Sequence, residues 1–205
     1  MQQRLTWGGR GARFLSLAVA GLLLAPVPAL ALTFLGPWQV LLNFHTRGVP
    51  GAVVSAARDA VTARGPLGIL FVDMGTATRA QAGFSTVVIR RQFRVDSPAG
   101  ERLVLSDAVG MDMKNARFAV RAVIGRYQNG GYRIDHIYPA LAGVAGSRPV
   151  TFTGGRSISA PVGRPGQTYA LTLSITYAKQ ADGFWRDHRG RHRHASHHRF
   201  EFGPA

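Results

Sequence analysis

The chain has 205 residues, 46% of them hydrophobic, and a formal net charge of +15 from 25 Lys plus Arg against 10 Asp plus Glu. That much apolar material supports a sizeable core and excludes wholesale disorder. The absence of Cys excludes disulfide staples, thiolate catalysis and Cys-type zinc sites.

Only Lys114 and Lys179 among the basic residues are Lys. The excess is therefore guanidinium, which grips carboxylate and phosphate through two parallel hydrogen bonds. A GC-rich coding bias accounts for part of it. A functional account is an anionic partner: envelope polysaccharide or lipid headgroups, with nucleic acid less expected.

Residues 1–31 read as a signal peptide. Arg4, Arg10 and Arg13 make a positive start, Phe14 to Ala25 an apolar run, and Ala29-Leu30-Ala31 a small-x-small cleavage pattern. The alternative is an uncleaved membrane anchor, because no charged residue occurs from Phe14 to Thr46. Pro26, Pro28 and Gly36-Pro37 interrupt any single long helix there. Removing the three leader arginines lowers the charge from +15 to +12, so the expected domain, 32–205, is itself basic.

Taken in order, Trp38 to His45 predicts a buried first strand. Ala52 to Ala63 predicts a short helix: Val53, Ala56, Ala57, Ala60 and Val61 recur at helical spacing between Pro50 and Gly65-Pro66. Leu67 to Met74 is a short apolar strand. Phe84 to Val95 alternates, with Arg90, Gln92 and Arg94 opposite Val87, Ile89, Phe93 and Val95. Arg91 falls on the apolar side, which predicts a bulge or strand end. Ser97 to Gly100 is a turn, and Glu101 to Ser106 the expected hairpin partner.

Ala116 to Gly125 alternates with Arg121 on its polar side. Asn129-Gly130-Gly131 then predicts a tight hairpin into Tyr132 to Tyr138. Short strands follow at Pro149 to Thr153 and Arg156 to Ala160. Thr168 to Ala178 alternates strictly and predicts a strand with one buried face. The fold class is all-β, an antiparallel sandwich or open barrel, with one short N-terminal helix after the leader.

Residues 185–199 are biased: His188, His192, His194, His197 and His198 alternate with Arg186, Arg189, Arg191, Arg193 and Arg199. With almost no apolar residue, the segment reads as a solvated loop or tail outside any packed core. It would return through Phe200-Glu201-Phe202 to pair with 168–178. Its imidazoles suggest Zn, Cu or Ni, although five neighbouring arginines oppose a dication. Its guanidiniums suggest a polyanion contact, shared with Arg90 and Arg94.

Catalytic signals are weak. Asp135 and His136 point to opposite faces of a regular strand. Asp107 and Asp112 flank an expected loop. Met111 and Met113 could offer thioethers, with Met74, but read as packing. No nucleophile elbow or phosphate loop occurs. The sequence thus points to an exported, non-enzymatic binding or structural protein. The alternatives are a periplasmic metal-binding protein using His188 to His198, and a self-assembling surface subunit.

Overall fold

The computed structural model describes residues 32–62, 65–96, 101–162, 165–188 and 197–205, and the expected leader lies outside them. Eleven strands make one antiparallel curled sheet. They are β1 (Leu32–Phe34), β2 (Gln39–His45), β3 (Val53–Ala56), β4 (Ala60–Thr62), β5 (Gly65–Asp73), β6 (Gly83–Val95), β7 (Glu101–Gln128), β8 (Gly131–Ala145), β9 (Val150–Val162), β10 (Thr168–Asp187) and β11 (His198–Pro204).

β7 organises the rest. Along one edge it pairs with β8 through residues 116–128 and with β9 through 101–113. Along the other it pairs with β10 through 111–126 and with β11 through 103–109. β6 continues outward from β10, and β5 from β11. The sheet thus has two wings sharing β7. The first runs β8, β7, β10, β6 and then β1 and β2; the second runs β9, β7, β11, β5 and then β3 and β4.

The wings meet at a crease. Asn115 takes a positive φ of 41°, β10 shifts register between Lys179 and Phe184, and residues 146–149 separate β8 from β9 at the same level. Asn115 N–H donates to Gly146 O at 2.8 Å, and its side-chain amide donates to Asp182 at 2.6 Å. Gly183 lies so close to the Lys114 and Asn115 carbonyls that a Cβ there would strike them.

Inward residues of both wings form one core. Val87, Ile89 and Phe93 of β6, Phe118, Val120 and Ile124 of β7, and Leu171, Leu173 and Ile175 of β10 belong to it. So do Leu70, Val72 and Phe202 of the second wing. The alternation read in β6, β7 and β10 is therefore the core-facing parity, and the hairpin after β7 forms as expected. Asn129 and Gly130, at φ 51° and 75°, make its two-residue turn.

Several expectations are corrected. No helix occurs among the described residues, and most of segment 52–63 is β3 and β4, both paired with β5. Val53 and Val54 are β-branched, and an unpaired β5 edge offers a better partner than an isolated three-turn helix, which is marginal in water. β2 is a strand but an exposed one. Glu101 to Ser106 pairs with β9 and β11, not with β6. β11 does not return along β10. It continues in line with it on the same edge of β7, where Asp187 pairs with Met111 and His198 with Val109.

Arg91 makes no bulge, since β6 pairs with β10 in unbroken register from Gly83 to Arg94. Its side chain points inward, and the residue is 5% exposed. The guanidinium lies 4.0 Å from the Phe34 ring centre, and near Trp38 and Phe202. It donates to Gly36 O at 3.1 Å and, through both terminal nitrogens, to Asp59. Asp59 stands in the break between β3 and β4, so this fork ties β6 of the first wing to the outer margin of the second. Asp59→Ala is expected to lower stability by about 1–2 kcal/mol, less than for a fully buried pair because Asp59 is 37% exposed. Urea unfolding measures it.

Candidate polyanion-binding face

The outward parity of the first wing places Arg90 and Arg94 on β6 and Arg117 and Arg121 on β7, either side of β10. Between them β10 presents Thr168, Thr172, Ser174 and Thr176. Arg90 Nε donates to Thr172 Oγ1 at 3.1 Å, and its guanidinium lies 4.8 Å from the centre of the Tyr132 ring. Tyr132 reaches that position by crossing Gly125, where a Cβ would collide with its ring. Tyr127 lies beside it at 5.3 Å, its hydroxyl accepting from Gln92 Nε2 at 3.1 Å.

Charge pairing distinguishes this face. Arg94 is bound to Asp96 at 2.7 Å. No carboxylate among the described residues lies in ion-pair range of Arg90, Arg117 or Arg121. β6 and the first-wing parts of β7 and β10 contain no Asp or Glu. From strand spacing and rise, successive guanidiniums in the order Arg94, Arg90, Arg121, Arg117 sit on the order of 10–13 Å apart, and the ends of the row about 35 Å apart. That is an extended row of arginines, one of them paired with a carboxylate, rather than a cage for one small anion.

The remaining expected arginines lie elsewhere. Arg186 is 3.3 Å from Asp112 and Arg199 is paired with Glu201. Asp112 is eleven residues along β7 from Val123, the rung of Arg90, which is about 36 Å of strand. Arg186 and Arg199 thus lie beyond the crease at Asn115, in the second-wing part of the sheet, outside the row that holds Arg90 and Arg94. Arg189, Arg191, Arg193, His192 and His194 lie outside the described residues. Arg117 and Arg121 were missed as site residues, although the parity of Ala116 to Gly125 already put them opposite Phe118 and Val120.

The biased segment contributes to the core after all. Trp185, His197 and His198 are fully buried. His198 Nδ1 lies 3.1 Å from both carboxyl oxygens of Asp107, and Nε2 lies 2.6 Å from the Tyr177 hydroxyl. His197 Nδ1 accepts from Met74 N–H at 3.1 Å, and its carbonyl accepts from Gly110 N–H. Trp185 Nε1 donates to Met74 O at 3.2 Å. The bonds to Asp107, Tyr177 and the Met74 backbone offset the cost of burying these rings. Asp107 lies within a strand, not a loop, and Met74, Met111 and Met113 are core residues.

His188 lies at the surface, 2.9 Å from Asp112. Among the described residues no group of three or more His, Asp or Glu is placed to hold a metal ion. A site drawing on His197 and His198 would have to break their bonds to Met74, Asp107 and Tyr177.

Burial, and after it the charges of Asp107 and Asp73, push the Tyr177 hydroxyl well above its ordinary value of 10.0. A raised folded-state value gives stability that is complete below pH 10 and lost as pH climbs beyond it. Wild-type stability is therefore expected to fall above pH 10, and to fall less steeply in Tyr177→Phe. Urea midpoints on either side of pH 10 measure this.

A second correction concerns Asp135 and His136. The register of β8 against β7 shifts between Ile124 and Gly125, leaving Asp135 unpaired in a bulge. Both side chains consequently line one cavity of about 340 Å³ with Arg126, Pro161, Val162 and Tyr169. Arg126 Nε lies 3.2 Å from Asp135, so the acid is already neutralised.

No family model matches the chain, and no curated protein matches it. Among solved structures, TmCBM61 in complex with β-1,4-galactotriose overlaps at TM-score 0.32 and 15% identity, over 82% of this chain and 89% of that one. The family 11 carbohydrate-binding module from Clostridium thermocellum, bound to a mixed-linked tetrasaccharide, gives 0.22 and 14%, over 74% and 97%. The enzymatically active domain of tailspike protein 4 from Bacteriophage CBA120 gives 0.30 and 12%, over 72% of this chain but 19% of that one. The chain thus spans about a fifth of the tailspike domain's length. Carbohydrate-binding modules and a tailspike domain are among its structural neighbours, in overlaps too loose to carry an argument about function.

Proposed function

We propose that the protein is an exported, non-catalytic module that binds an acidic polysaccharide along the outward face of its first wing. The observation that carries this reading is the set Arg90, Arg94, Arg117 and Arg121, three of them without a carboxylate partner among the described residues, flanking a hydroxyl stripe. Guanidinium recognises the sugar carboxylates, the Thr and Ser hydroxyls exchange hydrogen bonds with sugar hydroxyls, and Tyr127 and Tyr132 offer apolar ring surface. A sheet face suits a linear polymer because successive contacts repeat along it.

Co-sedimentation with insoluble polygalacturonate over a salt series tests the proposal. The protein should bind at low salt, release steadily as salt rises, and ignore an uncharged glucan under the same conditions. Equal binding to the uncharged glucan would overturn the electrostatic reading. Binding to anionic vesicles but not to polygalacturonate would move the assignment to lipid headgroups.

A further inference from the structure

The row of arginines on the first wing ends at the crease, and its last member stands beside a hollow. Arg117 of β7 pairs with Ala178 of β10 on one side and with Val144 of β8 on the other. A methyl group at 178 leaves the surface low beside the guanidinium. Just beyond it, β10 leaves its register with β7 between Lys179 and Phe184. β8 ends at the same level, at Ala145, and a Cβ on the next residue, Gly146, would meet no atom within 4 Å. The result is a cavity of about 520 Å³ whose walls include Arg117, Val144, Gly146, Ala178, Lys179 and Gln180.

Two cations from neighbouring strands border this cavity. Arg117 is exposed, and no carboxylate among the described residues lies in ion-pair range of it or of Lys179. Lys179 is buried and donates to the carbonyls of Arg79, Gln81 and Gln180, which fix its charge in place without cancelling it. Lys114 and Arg148 stand one and two residues along the chain from Asn115 and Gly146. The acid of this corner, Asp182, already accepts from the Asn115 side chain at 2.6 Å.

That balance favours an anion, and a free guanidinium fits a carboxylate through two parallel hydrogen bonds. Val144, 75% exposed, and Ala178 supply apolar surface, and the Gln180 amide can both donate and accept. Pockets for small molecules run from about 300 Å³ upward. The space therefore holds a sugar ring together with its carboxylate, whereas an inorganic anion would leave most of it to water.

We infer that this cavity is a subsite for one uronic acid residue, resting on the reading of the first wing as a face for an acidic polysaccharide. The carboxylate lies on Arg117, the apolar face of the ring on Val144 and Ala178, and ring hydroxyls reach Gln180. Arg117 is then the member of the row at which a single sugar is recognised, and the other three arginines hold the polymer that continues from it.

Digalacturonate is the probe, because it is too short to span a row of about 35 Å. It is titrated into the isotope-labelled full chain and followed by NMR. Saturable shifts should be confined to the amides of Arg117, Gly146, Ala178 and Gln180 and to the Arg117 side chain. The neutral methyl ester and inorganic phosphate should leave these signals in place. Arg117→Gln should lose digalacturonate binding, and its exposed position spares the fold. Ala178→Leu, which fills the hollow and changes no charge, should lose it as well. Arg186→Gln, whose side chain is paired with Asp112, should bind like wild type. Both cavity variants should keep most of their polygalacturonate binding, since three arginines of the row remain. Polygalacturonate binding without digalacturonate binding, or shifts spread along β6, would overturn the subsite and leave the polysaccharide face standing. Binding of neither ligand would remove the face and the subsite with it. Equal shifts from the methyl ester or from phosphate would overturn the uronic acid assignment.

Discussion

His198→Ala is expected to destabilise the protein by about 3–5 kcal/mol, a large part of the stability of an ordinary domain. The substitution strips β7 and β10 of a common partner on β11. The Asp107 carboxyl group, 1% exposed, loses the ring nitrogen 3.1 Å away. The Tyr177 hydroxyl loses its 2.6 Å contact, and the aromatic packing of Phe118 and Phe200 loses a ring. Water cannot readily replace these bonds at a fully buried position. Tyr177→Phe removes one arm of the network and is expected to cost about 1–2 kcal/mol. The double variant should lose less than the sum, because the two substitutions delete a shared hydrogen bond. Urea unfolding of the four proteins measures both quantities. A loss below about 1 kcal/mol for His198→Ala would mean that the network does not hold these strands together.

Replacing Arg90, Arg94, Arg117 and Arg121 together by Gln is expected to weaken polygalacturonate binding roughly 4- to 900-fold at low salt, taking 0.2–1 kcal/mol per exposed charge pair. The salt dependence should flatten in parallel, since fewer ion contacts remain to be screened. These side chains point away from the core, so folding should be nearly unaffected. Arg186→Gln with Arg199→Gln is the matched control. It removes positive charge from residues already paired with Asp112 and Glu201, and should change affinity by less than about twofold. Equal losses per charge removed in the two variants would mean that total charge, not this face, governs binding.

The parts of this fold legible in the sequence are those where one face of a strand is buried. Strict alternation in Thr168 to Ala178 gave the correct inward and outward sets, and the same parity separates Arg121 from Phe118. Asn129-Gly130 announced its turn because both residues accept positive φ. Pairing between distant strands left no local mark. Nothing near Arg199 indicates that it lies beside Ala108 on one side and Phe71 on the other.

Composition misled in three places. The apolar run of β2 suggested burial, but an edge strand can leave such residues in water. Ala and Val at helical spacing suggested a helix where β5 supplied a better partner. Adjacent His and Arg suggested a wholly solvated segment, yet His197 and His198 enter the core because Asp107, Tyr177 and Met74 N–H meet them there. Each outcome depends on which groups arrive from far along the chain.

The place of β11 between β5 and β7 has a consequence in time. β5 ends at Asp73, and the strand that lies beside it begins at His198, about 125 residues later in synthesis. Throughout that interval Leu70 and Val72 have no β11 to pack beneath, and the matching edge of β7 is open. Closure over so long a loop is slow. The second wing therefore assembles late, and a nascent chain stalled before β11 would be the species most exposed to aggregation and to chaperones.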